Sequence, residues 1–440
     1  MTQPVILFSI PGLRGGDLAH MPNLAALAEQ GGTATLVSSF PCVTWPVQTA
    51  MLTGKTPHEH GVVANGFFWR DKREVEMWTA WNDKIAAPQI WDRLHELDPP
   101  RTSAVWFPML SKGCGADWIC MPAPIHNPDG SESLWCYTRP TELYGVLRDT
   151  FGHFPLQHFW GPIANIHSSK WIADSALYAA EQFHPEFSFV YLPHLDYAAQ
   201  RTGPDSPPAM AALGELDSLL GRLAEGLNST YAPRKPLLLA ASEYVITPVD
   251  HVSFPNRALR EAGLLAVRRE DDGEHLDLET SRAWALVDHQ FSHVFVRDAD
   301  VETIAKVRRL FEKAEGIAEV LVGRDRAKYQ IDHERSGEVI LISSPESWQA
   351  YYWWLDDANA PGFARTVDIH RKPGFDPVEL HFDPATKSIP LDASRVKGSH
   401  GAPAASPAPQ GVLVSSSADT LTKREYADRD VFGLVMERFG

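Results

Sequence analysis

A doubly wound α/β fold, with a mostly parallel sheet covered by helices on both faces and a smaller α+β section, is what this sequence predicts. Three observations carry the prediction. Short, near-continuous apolar runs (VILFSI at 5–10, FSFVYLP at 187–193, PLLLAAS at 236–242) read as strands buried on both faces. Segments with helical spacing separate them. Polar groups follow the strand ends, where open α/β sheets gather ligands.

Taken in order, residues 5–10 form the first strand, closed by Pro11-Gly12. Residues 21–30 read as a helix, with Pro22 in the first turn and Gly31-Gly32 as the stop. A strand at 102–107 and a helix at 168–184 follow. Residues 208–227 carry Leu213, Leu216, Leu220, Leu223 and Leu227 at helical spacing. Asp196 and Glu243 fall just past the strand ends, where an α/β enzyme places functional groups; the bland alternative is that each only ends a strand or caps a helix. From 265 to 345, strands at 293–297, 319–322 and 338–343 and a helix near 300–315 give the smaller section. Residues 346–397 form an aromatic and basic insertion near the site, long for a loop, with Trp348, Tyr351, Tyr352, Trp353 and Trp354 arguing against disorder. A Pro/Ala loop at 402–410 precedes a closing helix at 429–439. The expected organisation is a main domain of 1–264 and 398–440, interrupted by these two sections.

Composition narrows the function. The chain has 440 residues, 44% apolar and 22% charged, which is ordinary for a globular protein. Forty basic against 56 acidic residues leave a net charge of −16, which disfavours a nucleic-acid polymer or an anionic membrane surface as partner. No apolar run has the length of a membrane helix, and the N-terminus lacks a basic leader region. Four cysteines without a CxxC pair suit a reduced, cytoplasmic setting. There is no GxxxxGK[ST] loop, no GxGxxG after a strand and no GxSxG elbow, so NTPase, dinucleotide-enzyme and serine-esterase readings lack support.

Three ordered motifs carry chemistry. They are Pro41-Cys42-Val43-Thr44-Trp45-Pro46, His60-Gly61-Val62-Val63-Ala64-Asn65, and Gly398-Ser399-His400-Gly401. In these the sequence resembles the alkaline phosphatase superfamily, nearest its nucleotide pyrophosphatase/phosphodiesterase branch. Residues 192–204, 241–246 and 335–338 extend the likeness along the chain. The resemblance implies that Thr44 is the nucleophile and that Asn65 donates to a phosphoryl oxygen. A threonine at a helix start sits among unpaired N–H groups, and an amide donor suits developing charge on phosphorus. Read alone, the same residues are a helix N-cap and a turn residue.

The resemblance also implies a divalent metal site, with zinc favoured over manganese or iron, built from Asp and His at six positions. Here those positions hold Pro11, Asp196, Gln200, Glu243, Tyr244 and His400. Asp196 and His400 match, and Glu243 is a carboxylate replacement. Together these three reach the minimum for a single catalytic ion. A rebuilt second ion would draw on His194, Asp288, His289, His293, Asp368 or His370. His289 and His293 would need a turn between them, since i and i+4 on a strand lie about 13 Å apart. His370-Arg371-Lys372 concentrates positive charge suited to a phosphate of the substrate, or is a solvated basic turn. The expected activity is hydrolysis of phosphate esters or anhydrides of a small phosphate-containing substrate, with one or two ions. The alternatives are a binding protein or pseudoenzyme on the same scaffold, or another metal-dependent phosphoryl or phosphonate enzyme.

Overall fold

The computed structural model describes residues 3–126, 132–404 and 409–440. Part of the Pro/Ala segment, 405–408, lies outside them.

Seven strands of the large sheet precede the smaller section: β1 (Val5–Ile10), β2 (Thr33–Val37), β3 (Ser103–Trp106), β4 (Trp118–Pro122), β5 (Cys136–Arg139), β6 (Phe187–Tyr191) and β7 (Leu237–Ser242). The smaller section adds β8 (Ala283–Asp288), β9 (Phe291–Val296), β10 (Ile317–Val322) and β11 (Val339–Ser343), and the chain closes with β12 (Gly411–Ser415) and β13 (Glu425–Ala427). The large sheet has nine strands in the order β13-β2-β12-β7-β1-β6-β3-β4-β5. The central run from β7 to β4 is parallel, with Val5 beside Phe187 on one side and Leu237 on the other. β12 and β5 run antiparallel to their neighbours. The centre of the sheet is apolar throughout because both of its faces are covered. Every residue of β1, β6 and β7 is buried.

The main helices are α1 (Pro22–Gly31), α2 (Thr44–Thr53), α3 (Ile166–Phe183), α4 (His194–Thr202) and α5 (Pro207–Thr230). α5 packs against α1, α3 and α4, whereas α2 packs against the C-terminal helix Asp430–Met436. The leucine stripe predicted in 208–227 is the buried face of α5.

The smaller section is a four-stranded antiparallel sheet, β8-β9-β11-β10, with α6 (Val301–Phe311) against it. The 346–397 insertion is not one long loop. Ser347–Gln349 pairs with His251–Ser253, and short 3-10 turns follow. Tyr351, Tyr352, Trp353 and Trp354 are all buried in the smaller section's core, which is where the aromatic content of the insertion is spent. None of the described helices is long and apolar enough to cross a membrane.

Candidate active site

The ends of β1 and β7 set the floor of the site. Glu243 N donates to Ile10 O (3.1 Å) and Gly12 N to Tyr244 O (2.9 Å), so the two chain exits are laced together. Gly12 sits at φ +76, and an added Cβ would come to 3.3 Å from Ile246. A side chain there would strain the turn that aims Tyr244 inward.

Thr44 opens α2 as its first helical residue. Val43 is the N-cap and offers no side-chain cap, so the Thr44 hydroxyl is not spent on capping. It lies 3.1 Å from the Tyr244 hydroxyl, which donates to Asp196 Oδ1 at 3.4 Å. Asp196 comes from the first turn of α4. Glu243 Oε1 accepts from Ser9 Oγ (2.7 Å) and Gln48 Nε2 (2.8 Å), Gln48 standing one helical turn after Thr44. Glu243 Oε2 is buried without a partner. Burial pushes the Asp196 carboxyl up to about 7, against the pull of Gln200 and Tyr244. Burial likewise pushes Glu243 up to about 8, against the Ser9 and Gln48 donors.

A column of rings stands beside this floor. Tyr244 lies flat on His400 (3.6 Å between centroids, 6° between planes), His400 meets His289 (3.8 Å), and His289 stacks on Phe375 (3.5 Å). His400 Nδ1 faces the Cys42 carbonyl at 2.8 Å and so must donate to it, which leaves the buried Nε2 bare. Burial, together with the neighbouring His289, holds His400 well below the usual histidine range. Above Thr44 and Tyr244 the pocket wall is aromatic, with Trp78, Phe159, Trp160 and Phe375. Among the described residues, neither lysine nor arginine lines it. A larger cavity of 640 Å³ lies on the smaller section, where Arg70 and Arg73 are already paired with Glu338 and Glu279.

Asn65 is fixed against the same helix start. Its Oδ1 accepts from Trp45 N (2.9 Å), and its Nδ2 donates to Asp288 Oδ1 (3.2 Å). One amide hydrogen remains for another acceptor. Asp288 also takes the Asn65 backbone N–H (2.8 Å) and His289 Nδ1 (2.6 Å).

Several expected site residues do other work. The chain does turn at His289 (φ +63), but His293 is no ligand. Its Nε2 donates to Val63 O (2.9 Å) and its Nδ1 accepts from Gly337 N (3.1 Å), so both nitrogens are spent on backbone. Lys372 is not offered to a substrate, because its ammonium is buried against Asp376 (2.8 Å), Glu379 (2.6 Å) and Thr366 O (2.9 Å). Arg371 is exposed and paired with Asp368, and His370 lies half-buried in the same turn. His194 meets Glu215 at 2.7 Å. Sequence reasoning passed over Tyr244 as a partner of Thr44, as well as Ser9 and Gln48 around Glu243. The signal available was Gln48, four residues after Thr44 on one helix face.

The residues present do not fit the metal site that the resemblance implies. Among the described residues, the His, Cys, Asp and Glu donors that gather within 4.8 Å are Glu270, Asp272 and His275, near the surface, and not Asp196, Glu243 and His400. His400 Nε2 and Asp196 Oδ1 are 3.9 Å apart, but the Tyr244 ring covers the face of His400 and its hydroxyl contacts Asp196. Glu243 is turned to Ser9 and Gln48.

Comparison with known proteins gives the frame. The profile of the type I phosphodiesterase / nucleotide pyrophosphatase family matches residues 5–376. An uncharacterized pyrophosphatase/phosphodiesterase of Schizosaccharomyces pombe is 26% identical over 253 residues, 56% of this chain and 45% of that protein. The chain thus matches less than half the length of that curated relative. Phosphonoacetate hydrolase from Sinorhizobium meliloti, in complex with phosphonoformate, superposes with a TM-score of 0.63 at 18% identity, over 99% of this chain and 96% of that one. An inactive variant of murine ectonucleotide pyrophosphatase / phosphodiesterase 5, in complex with AMP, gives 0.61 at 13% identity, over 99% and 94%. At these identities the likeness speaks for an alkaline-phosphatase-like fold alone.

Proposed function

The chain belongs to the type I phosphodiesterase / nucleotide pyrophosphatase family, and on that premise we propose that it hydrolyses phosphate esters or anhydrides of small molecules, with Thr44 Oγ1 as the attacking atom. The observation that carries this reading is the placement of Thr44. It opens α2 at the floor of the pocket, uncommitted to capping, with its hydroxyl 3.1 Å from Tyr244. Attack on phosphorus forms a phosphothreonine, and water then releases it. The remaining Asn65 amide hydrogen supports a non-bridging oxygen as charge develops. The family is typically metal-dependent. The donors here do not fit that requirement, so no step is routed through an ion.

The aromatic wall supports an ester carrying a ring or another apolar group, since among the described residues no lysine or arginine lines the pocket to hold a highly charged phosphate. Turnover of bis(4-nitrophenyl) phosphate by wild type, Thr44→Ala and Thr44→Ser tests the proposal. Wild type turns over, Thr44→Ser keeps part of the rate, and Thr44→Ala does not turn over. A Thr44→Ala protein with wild-type kcat would end the reading. Pro11, Gln200 and Tyr244, which replace donor residues, favour a second reading, a binding protein on the same scaffold. That reading is supported if wild type binds the diester without cleaving it.

A further inference from the structure

Tyr244 stands between the attacking hydroxyl and a buried carboxyl. Its one phenolic hydrogen points to Asp196 Oδ1, because only the phenol can donate in that contact when the carboxylate is ionised. The 3.1 Å contact with Thr44 Oγ1 therefore has Thr44 as donor and the Tyr244 oxygen as acceptor. The hydrogen-bond chain has one direction, Thr44 to Tyr244 to Asp196. Beyond it lies His400 Nε2, 3.9 Å from Asp196 Oδ1, buried, without a partner and bare of hydrogen because Nδ1 donates to Cys42 O.

We propose that Tyr244 takes the part that a metal ion plays in activating Thr44, by relaying its proton to Asp196, so that the site works without bound metal. This inference rests on Thr44 being the nucleophile. In the first half-reaction the Thr44 O–H bond breaks as the Thr44 O–P bond forms. The Thr44 proton passes to the Tyr244 oxygen, and the Tyr244 proton passes to Asp196. The protonated Asp196 then faces His400 Nε2, an acceptor with nothing else to bind. The leaving oxygen departs with its bonding electrons on the face of phosphorus opposite Thr44 and takes a proton from solvent water. In the second half-reaction water attacks phosphorus and gives up a proton to solvent. The Thr44 O–P bond breaks, and Asp196 returns its proton through Tyr244 to the Thr44 oxygen. Every residue ends as it began, and one water has been consumed.

The ring stack explains why the tyrosine holds this position. Tyr244 is parallel to His400 at 3.6 Å, and its aromatic body is buried. Tyr244→Phe keeps that stack and removes only the hydroxyl, so the variant is expected to fold.

The experiment uses the full chain after exhaustive dialysis against EDTA, with metal content read by mass spectrometry and bis(4-nitrophenyl) phosphate as probe. The metal-stripped wild type is expected to keep its kcat. Tyr244→Phe loses roughly 10²–10⁴-fold in kcat with KM unchanged, the range of a proton-transfer contribution. Asp196→Asn loses a similar factor. The double variant is no slower than the slower single one, as groups acting in one chain behave. Near-wild-type kcat in Tyr244→Phe overturns the relay, as does additive loss in the double variant. Loss of turnover on stripping, regained with zinc or manganese, also overturns it. A calorimetric zinc titration decides the metal question even where the probe is not turned over. Tight stoichiometric zinc that disappears in His400→Ala overturns the inference; zinc binding that His400→Ala leaves unchanged belongs to the surface trio and supports it. A Thr44→Ala protein that still turns over sinks the assignment of Thr44 as nucleophile, on which the relay rests, whatever Tyr244→Phe does.

Discussion

Two buried polar clusters stand behind one pocket, one backing Trp160 and the other backing Tyr244, and are built differently. In the 346–397 insertion, Lys372 is satisfied on every side by Asp376, Glu379 and Thr366 O, and Glu379 also accepts from Trp160 Nε1 at 2.6 Å. On the floor, Glu243 Oε2 and His400 Nε2 are buried with no partner. A closed network of charges fixes geometry, whereas a buried atom left unpaired costs free energy that structure alone does not explain. The first cluster therefore reads as a strut holding the aromatic wall, and the second as the place where protons move.

The sharpest way to break this comparison is to delete one residue from each cluster. Thr44→Ala is expected to remove turnover, by up to about 10⁶-fold if it behaves as other nucleophile deletions do, with thermal unfolding unchanged. Lys372→Met is expected to do the reverse. It strands Asp376 and Glu379 as unpaired buried carboxylates and costs about 3–5 kcal/mol, read as a drop in the chemical-denaturation midpoint. Any fall in its kcat should be far smaller than that of Thr44→Ala. If Lys372→Met proves as stable as wild type but inactive, the two clusters have been assigned the wrong way round.

Glu243→Gln is a finer probe. The amide can still accept from Ser9, and its NH₂ takes the place of the acid proton, so folding should hold while kcat falls far less than in Tyr244→Phe. The smallest expected effect is in pH. Turnover needs Asp196 ionised, so it should fall as pH drops below about 7. Glu243→Gln should leave that acid limb in place. The same shifts have a stability sign. Both carboxyls bind their protons more tightly folded than unfolded, so their contribution to stability is present at low pH and lost as pH rises through about 7 and about 8.

Much of the fold was legible because burial on both faces leaves a plain signature. β1, β6 and β7 are apolar runs, and their ends are where Asp196 and Glu243 stand. The antiparallel β12 was missed. Its five residues pair with strands about 170 and 380 positions earlier in the chain, and nothing local announces that partnership. In the site, Thr44, Asn65, Asp196 and His400 could be picked out because their motifs are contiguous. Tyr244 was read only as a missing ligand, since ring stacking and a through-space hydroxyl contact leave no trace in spacing. Lys372 misled for a related reason. A basic run looks solvent-facing until Asp376 and Glu379, one and two turns on, fold back over it.

The most direct test of the account is to trap the covalent intermediate on metal-stripped protein. Acid quenching during turnover of bis(4-nitrophenyl) phosphate, followed by peptide mass spectrometry, should find the nitrophenyl-phosphoryl group on Thr44, and no such adduct in Thr44→Ala. An adduct on a different residue, or multiple turnovers with no adduct on Thr44, would contradict it.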